Sequence, residues 1–394
     1  MSQHICILTS AHPLDDVRVN SKIAVSFLGS GFKVSWVGPE VSYFADVADR
    51  DDRISYHLTP PIQSRFDRLV SARRVARKAR EVKDVDWYYS PDPDAAEAAV
   101  KLARGSRANV LFDIHEIYHG ALIDRWLWGR RASLVRAYVR RRVARTARRS
   151  DLVIGVSESV LRPYADPGQP QMAVRNCAPR WFAEVTQRQE QPGPLTQAEN
   201  NRTTFMHGKA LRNNGSQVVL DALAHLGEQK TRARVLMFPS TGAEALPFMP
   251  DLASRIARLE LSESVWLHDA VTHEQMPAVL AQCDVGMVAY GRGLGEDSLP
   301  NRLFEYMASG VAVLAPTYAL EIKRIVDAED IGLTVDFEDP AEVASAMHWF
   351  IEHPEETRSM GTRAGAAFME RHNWDAEFDR LVTAMAVQSA KPRG

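Results

Sequence analysis

Cysteine is scarce: Cys6, Cys177 and Cys283 are the only three in 394 residues, far apart and set in apolar runs. That excludes a disulfide scaffold, a zinc knot and a CxxC redox pair, and predicts small core side chains in a reducing compartment. Long hydrophobic runs are missing as well. No stretch of eighteen apolar residues could cross a bilayer, and the opening MSQHICILTSAHP has neither a basic leader nor a long apolar core, so the expected location is the cytoplasm. No short internal repeat or low-complexity tract appears. What is present is ordinary for a folded chain: 45% hydrophobic, 25% charged and 8% aromatic, long enough for two or three cores. The net charge of −2 is unevenly spread, since residues 1–194 carry 30 Lys+Arg against 22 Asp+Glu and the remainder carries 18 against 28. Halves of +8 and −10 suggest two modules, the first suited to an anionic partner.

Short apolar runs alternate with helix-length amphipathic segments, the signal of successive βα units and a parallel sheet. Strands are predicted at 4–9, 33–37, 86–90, 110–115, 151–156 and 172–177, and again at 204–208, 233–238, 265–268, 284–290, 311–316 and 332–336. Between the two sets, 184–203 is polar, bears Pro and Gly, and is aperiodic, as a linker is. A helical tail over 355–390 closes the chain. The fold class is therefore α/β, with two doubly wound, Rossmann-like parallel-sheet domains facing a cleft. In such sheets ligands sit beyond the carboxyl ends of the strands.

The most informative string is EDSLPNRLFEYMASG, 296–310, followed by the strand VAVLAP. Pro300 suits the first turn of a helix, Ser298 can cap it after Asp297, Leu299 links the two, and Gly310 stops it. The unpaired amides of that first turn, around Asn301 and Arg302, make an anion seat whose natural occupant is a diphosphate. Glu305 lies four residues beyond Asn301 on the same face, about 6 Å along the axis. Carboxylates on either side, Asp297 and Glu305, suit vicinal hydroxyls and so describe a nucleotide-sugar site. An ordinary βα unit can also present a Pro-started helix with an exposed glutamate. For the helix alone that plainer reading is favoured, and it is the resemblance described next that tips the balance to function.

The segment DSLPNRLFEYMASGVAVLA resembles the signature of the retaining glycosyltransferases of GT-B fold, the large group that includes glycogen synthases and bacterial lipid mannosyltransferases. That group usually has Glu at the first acid, where this chain has Asp297. THEQMPAVLAQCDVGMVAY (272–290), EIKRIVDAEDIGLTVD (321–336) and RHNWDAEFDRLVTAM, with Trp374, resemble its neighbouring segments. The resemblance implies an acceptor-side domain over 1–186, a linker over 187–203, a nucleotide-sugar domain over 204–372, and a terminal helix over 373–394 that crosses back to the first domain. It implies a sugar moved from a UDP-sugar or GDP-sugar, with retention of configuration and no required metal. Glu305 would hold the ribose and Asp297 the sugar. Gly208 and Lys209 fall where the family carries Gly-Arg to clasp the diphosphate, and its later lysine is replaced by Asn214, with Arg212 nearby. The run FDIHE is similar to the family's DxHE, which places His115 over the donor sugar. The acceptor stays open among glycan, lipid-linked and small molecules.

Other features have competing readings. In SAHPLDDVR, Asp15, Asp16 and Arg18 cap the next helix or face the acceptor, and capping is the simpler expectation. Asp92-Pro93-Asp94 has the DxD spacing of metal-chelating transferases, but a cap and a first-turn charge explain it more simply. The segment 124–150 holds ten arginines and one acid with apolar residues interleaved, and 65–81 repeats the theme with seven bases and two acids. Each reads equally as a peripheral surface for anionic lipid or as a sheet-covering helix with solvated arginines. No nucleic-acid module accompanies the charge. Two rival classes remain: a nucleotide-sugar epimerase of the same fold, and a non-catalytic scaffold for membrane or partner proteins.

Overall fold

A computed structural model describes residues 2–41, 51–115, 117–118, 130–187, 202–211, 214–239, 248–269, 271–292, 296 and 299–390. The chain forms two compact units, Met1–Arg175 with Glu377–Gly394, and Asn176–Ala376. Most of the expected linker, 188–201, lies outside the described residues.

The first unit is a seven-stranded parallel sheet of β1 (His4–Leu8), β2 (Lys33–Pro39), β3 (Ile54–Thr59), β4 (Trp87–Ser90), β5 (Asn109–Ile114), β6 (Leu152–Gly155) and β7 (Gln171–Ala173). Its order is β3-β2-β1-β4-β5-β6-β7. Helices cover both faces, so Ile5, Cys6, Ile7 and Leu8 of β1 are all fully buried, and the strand reads as an unbroken apolar run. The sequence reading omitted β3. It is an edge strand paired only with β2, and Ser55 to Leu58 are partly or fully exposed, so its text, ISYHLT, lacks that run. The strand expected at 172–177 is shorter, Gln171–Ala173, because it too lies at an edge.

The second unit repeats the plan with six parallel strands: β8 (Thr203–Ala210), β9 (Ala233–Pro239), β10 (Val265–Leu267), β11 (Val285–Met287), β12 (Ala312–Pro316) and β13 (Gly332–Val335), in the order β10-β9-β8-β11-β12-β13. The closing helical tail consists of two helices, Pro354–Glu370 and Trp374–Ser389. Asn373 separates them and starts the second, its Oδ1 accepting the Ala376 N–H at 2.9 Å. From Glu377 onward that last helix belongs to the first unit. There the almost fully buried Glu377 carboxylate accepts the Arg175 backbone N–H at 3.0 Å and its Nε–H at 2.7 Å, and Phe378 packs on Phe27 with ring centroids 4.9 Å apart.

All three cysteines are buried thiols outside any disulfide, and burial pushes the Cys6 and Cys283 thiols up. No helix among the described residues is long and apolar enough to cross a membrane.

Candidate functional site

In each sheet the strand order reverses at its first strand, between β1 and β4 and between β8 and β11, and segments that leave such neighbours diverge and open a crevice. The sequence-predicted residues fall at these two places, each described within its own unit.

In the second unit β8 carries a bulge at His207: Met206 pairs with Leu236 and Gly208 with Met237, so His207 has no register partner on β9. Its side chain is fully buried. Nε2 lies 2.8 Å from Ser216 Oγ, whose own hydroxyl donates to the Leu211 carbonyl at 3.0 Å. His207 therefore carries its proton on Nε2, an assignment from the network, and Nδ1 is left without a partner among the described residues. Gly208 follows with φ +84, a conformation glycine adopts freely. The Arg302 guanidinium lies against it: a Cβ on Gly208 would come 3.5 Å from Arg302 Nη1. Nη1 donates to the His207 carbonyl at 3.1 Å, and Cζ sits 5.0 Å from the Tyr290 ring centroid.

Desolvation first, and the Arg302 charge second, pull the His207 pKa down to about 3. The imidazole stays neutral in the folded chain but protonates below about 6.5 in the unfolded one, so acid favours unfolding between those values. Relative to the intact chain, His207→Asn is expected to flatten the fall of urea stability between pH 6.5 and 5 by up to about 1.4 kcal/mol per pH unit. Parallel pH profiles would remove the assignment of a neutral, buried imidazole.

Arg302 itself belongs to the helix Asn301–Ala308. Pro300 occupies the cap position with φ −77 and ψ 150, not the first turn expected of it, and it has no side chain to accept from that turn. The Leu303 N–H bonds to the Pro300 carbonyl at 3.3 Å, and the Asn301 and Arg302 amides at the positive helix end have no hydrogen-bond partner among the described residues. Leu299 packs its side chain in the core, 7% exposed, so only its backbone can serve a ligand. Glu305 follows on the Asn301 face with its side chain 17% exposed, and His273 Nδ1 is 3.9 Å from its Oε1. His273 is held edge-on to Trp181 at 5.8 Å. Lys209 is exposed at the end of β8, and its carbonyl accepts from Asn214 Nδ2 at 3.0 Å. Asn214, 7% exposed, thus ties the turn after β8 together. Arg212, Asp297 and Ser298 lie outside the described residues.

A second helix, Ser216–His225, starts beside this bulge from Gly215, whose φ is +69 and which offers no side-chain cap. A Cβ on Gly215 would overlap the Ala289 carbonyl oxygen. Left-handed strain and overpacking together predict a loss of about 2–4 kcal/mol for Gly215→Ala, read from urea unfolding.

In the first unit the corner after β1 and β5 is a packed polar network. Asp113, fully buried at the end of β5, accepts from Arg18 Nε and Nη2 at 3.0 and 3.1 Å and from the Tyr89 hydroxyl at 2.7 Å. His115 Nε2 lies 2.9 Å from the same carboxylate and 3.2 Å from Arg18 Nε. Since the guanidinium can only donate and already bonds to Asp113, Nε2 carries a proton toward the carboxylate. Burial would raise the Asp113 pKa, but Arg18 and His115 outweigh it and hold the group well below the usual range. Arg18, 5% exposed, therefore neither caps a helix nor faces solvent, whereas Asp16 does cap, accepting the Val19 N–H at 2.8 Å.

His12 stands edge-on to His115, centroids 5.2 Å apart, with Nδ1 3.1 Å from Asp92 Oδ1. Asp92 begins the helix Pro93–Ala103 but does not cap it; its carboxylate accepts instead from the Thr9 hydroxyl and the Ser10 N–H, both at 2.7 Å. Burial opposes its charge, and His12, Thr9 and Ser10 prevail, holding its pKa at about 2. Asp94 is bound by Arg68 Nη1 at 2.7 Å and the Ser10 hydroxyl at 2.5 Å. Among the described residues no group of three or more His, Cys, Asp and Glu is placed to hold a metal.

Sequence reasoning named Arg302 for its amide and not its guanidinium, and did not single out His273 or His12. The signals available were position alone: one residue after Asn301, inside a matched helix-strand segment, and three residues after the predicted first strand.

Two seven- and six-stranded parallel sheets of this kind match solved structures over nearly their whole length. A glycosyltransferase from Rickettsia africae superposes with a TM-score of 0.75 at 12% identity, covering 99% of each chain. Anabaena HepE in complex with UDP gives 0.73 at 13%, over 98% of this chain and 100% of that one. Sucrose-phosphate synthase from Thermosynechococcus elongatus gives 0.75 at 14%, over 99% and 100%. These likenesses define the GT-B architecture. Two family models match the sequence itself, Glycosyltransferase Family 4 over residues 18–171 and Glycosyl transferase-like over 244–383. The chain therefore carries two glycosyltransferase-family domains, one in each half, on a GT-B fold. No curated protein matches it significantly.

Proposed function

We propose that the protein transfers a hexose from a UDP-sugar or GDP-sugar, held by the second unit, to an acceptor held by the first, with retention of configuration and no resident metal. The observation that carries this reading is the seat at the β8/β11 switch point: bare amides at Asn301 and Arg302, the Arg302 guanidinium against Gly208, and Glu305 one turn on. Amides, Arg302 and the exposed Lys209 bind the diphosphate and stabilise the charge that grows on it as the glycosidic bond breaks. Glu305 accepts from the ribose diol, Asp297 from the sugar, and His115, whose Nε2–H is engaged by Asp113, accepts from a sugar hydroxyl at Nδ1. The chain shows no evident enzymic nucleophile, so the leaving diphosphate assists attack from its own face. That HepE was crystallised with UDP and with UDP-glucose supports a uridine donor.

A thermal-shift screen over nucleoside diphosphates and their sugars tests the reading. UDP or GDP at about 100 times its Kd is expected to stabilise the chain by about 2.7 kcal/mol. No shift with any nucleotide sinks the assignment, and NMR of the donor incubated alone separates transfer from epimerisation.

A cytoplasmic protein peripheral on anionic membrane is the second reading. Leu134 and Tyr138, one turn apart on the helix Arg130–Ala147, are 74% and 63% exposed among exposed arginines. Co-sedimentation with phosphatidylglycerol vesicles, lost in Leu134→Glu, is the expected result.

A further inference from the structure

The first unit carries a trough of about 1620 Å³. Its floor is the outer face of the helix Pro93–Ala103, flanked by the helices Arg65–Ala79 and Arg130–Ala147. At 1.5 Å per residue the floor runs for about 16 Å. One end reaches the corner of His12, Asp92 and His115; the other reaches Gly105. Small apolar side chains, among them Ala72, Ala76, Ala98 and Leu102, leave it open.

The charges lining it do not cancel. Asp92 is bound to His12, Asp94 to Arg68 at 2.7 Å, and Glu97 to both Lys101 and Arg142 at 2.8 Å. Arg73, Arg77 and Arg80 remain, exposed and without a carboxylate partner among the described residues. Arg73 and Arg77 belong to the helix Arg65–Ala79 and Arg80 is its C-cap, so the three stand at i, i+4 and i+7 on one face, spaced by about 6 and 4.5 Å along the axis. Like charges so placed destabilise a helix slightly, and an anionic ligand relieves that repulsion. A row of three recessed cations fits a ligand with anionic groups repeated along its length at about the interval of a sugar residue. A bilayer instead presents its charge in one plane and does not match a row of cations set along a trough.

From this row, its alanine floor and its opening at the His12–His115 corner, we infer that the trough binds an acidic oligosaccharide, a chain of carboxylate-bearing sugars that the protein extends at the end reaching the corner. The acceptor role rests on the transferase reading above; the binding does not.

Calorimetry with tetragalacturonate, against neutral maltotetraose and phosphatidylglycerol vesicles, tests it. The intact chain is expected to bind tetragalacturonate and not maltotetraose, more weakly as salt rises. The variant Arg73→Gln/Arg77→Gln/Arg80→Gln should bind it at least tenfold more weakly, with an unchanged Tm. A control that removes equal charge elsewhere on the unit, Arg107→Gln/Arg148→Gln/Arg162→Gln, should change affinity less than twofold. Equal losses in both variants would mean a general polyanion effect and overturn the proposal. So would no binding by the intact chain, or a triple variant that loses vesicles and keeps the oligosaccharide. A chain that binds tetragalacturonate but no nucleotide keeps the trough and sinks the transferase reading; binding UDP but no oligosaccharide does the reverse.

Discussion

Glu305→Ala is expected to lower donor turnover by two to three orders of magnitude while circular dichroism and Tm stay within error. A carboxylate that accepts from both hydroxyls of a ribose makes two charge-assisted bonds, each worth about 1.5–3 kcal/mol, and about 1.4 kcal/mol is a factor of ten. The side chain is only partly exposed and sits inside a helix, where alanine is the most favourable residue, so the fold should tolerate its loss. The split between constants identifies the role. Loss of a ribose contact weakens UDP and UDP-sugar alike, whereas loss of a sugar contact would leave UDP affinity intact. Glu305→Gln, which keeps one acceptor oxygen, should fall between the two. A folded alanine variant with normal turnover would remove the donor assignment altogether.

The nucleotide seat was legible to the extent that it is local. A first-turn helix end and an acid four residues on are matters of spacing along one segment, and Asn301 and Glu305 do share a helix face. Buried parallel strands were legible for a similar reason, since burial on both faces forces an unbroken apolar run such as CIL in β1. What escaped is non-local. Arg302 matters because the β8 bulge and the positive φ of Gly208 bring residue 207 beneath a guanidinium 95 positions later. Asp92 looked like a cap because its text is that of a cap, yet its partners are 80 to 83 residues earlier, and tertiary bonds to Thr9, Ser10 and His12 won over the local one. Arg18 was expected to cap the next helix or face the acceptor because it stands in the loop after the first strand; a buried carboxylate on β5 holds it instead.

Arg18→Met should be the most destabilising substitution in the first unit outside its apolar core. Arg18 and Asp113 are 5% and 0% exposed, and removing the cation leaves a carboxylate buried without its partner, at a cost of about 3–5 kcal/mol. The Tyr89 hydroxyl at 2.7 Å and His115 at 2.9 Å offset only part of that. The sign of the pH dependence separates this cause from lost packing. In the intact chain the depressed Asp113 pKa supplies stability that is present above the unfolded carboxylate value of about 4 and lost as pH falls through the folded value. Without Arg18, burial dominates and raises the pKa above that of the unfolded chain, so the variant should gain stability as pH falls from 7 toward 4. The gap between the two unfolding curves then narrows in acid. The double variant Arg18→Met/Asp113→Leu should recover most of the loss at pH 7, because it removes the stranded charge and fills the space with apolar atoms. It cannot restore His115, whose Nε2 then has no carboxylate to orient the ring. A double variant that regains stability but still transfers sugar poorly would show that the buried pair serves to position His115. A gap that stays constant with pH would mean that Arg18 acts through packing alone.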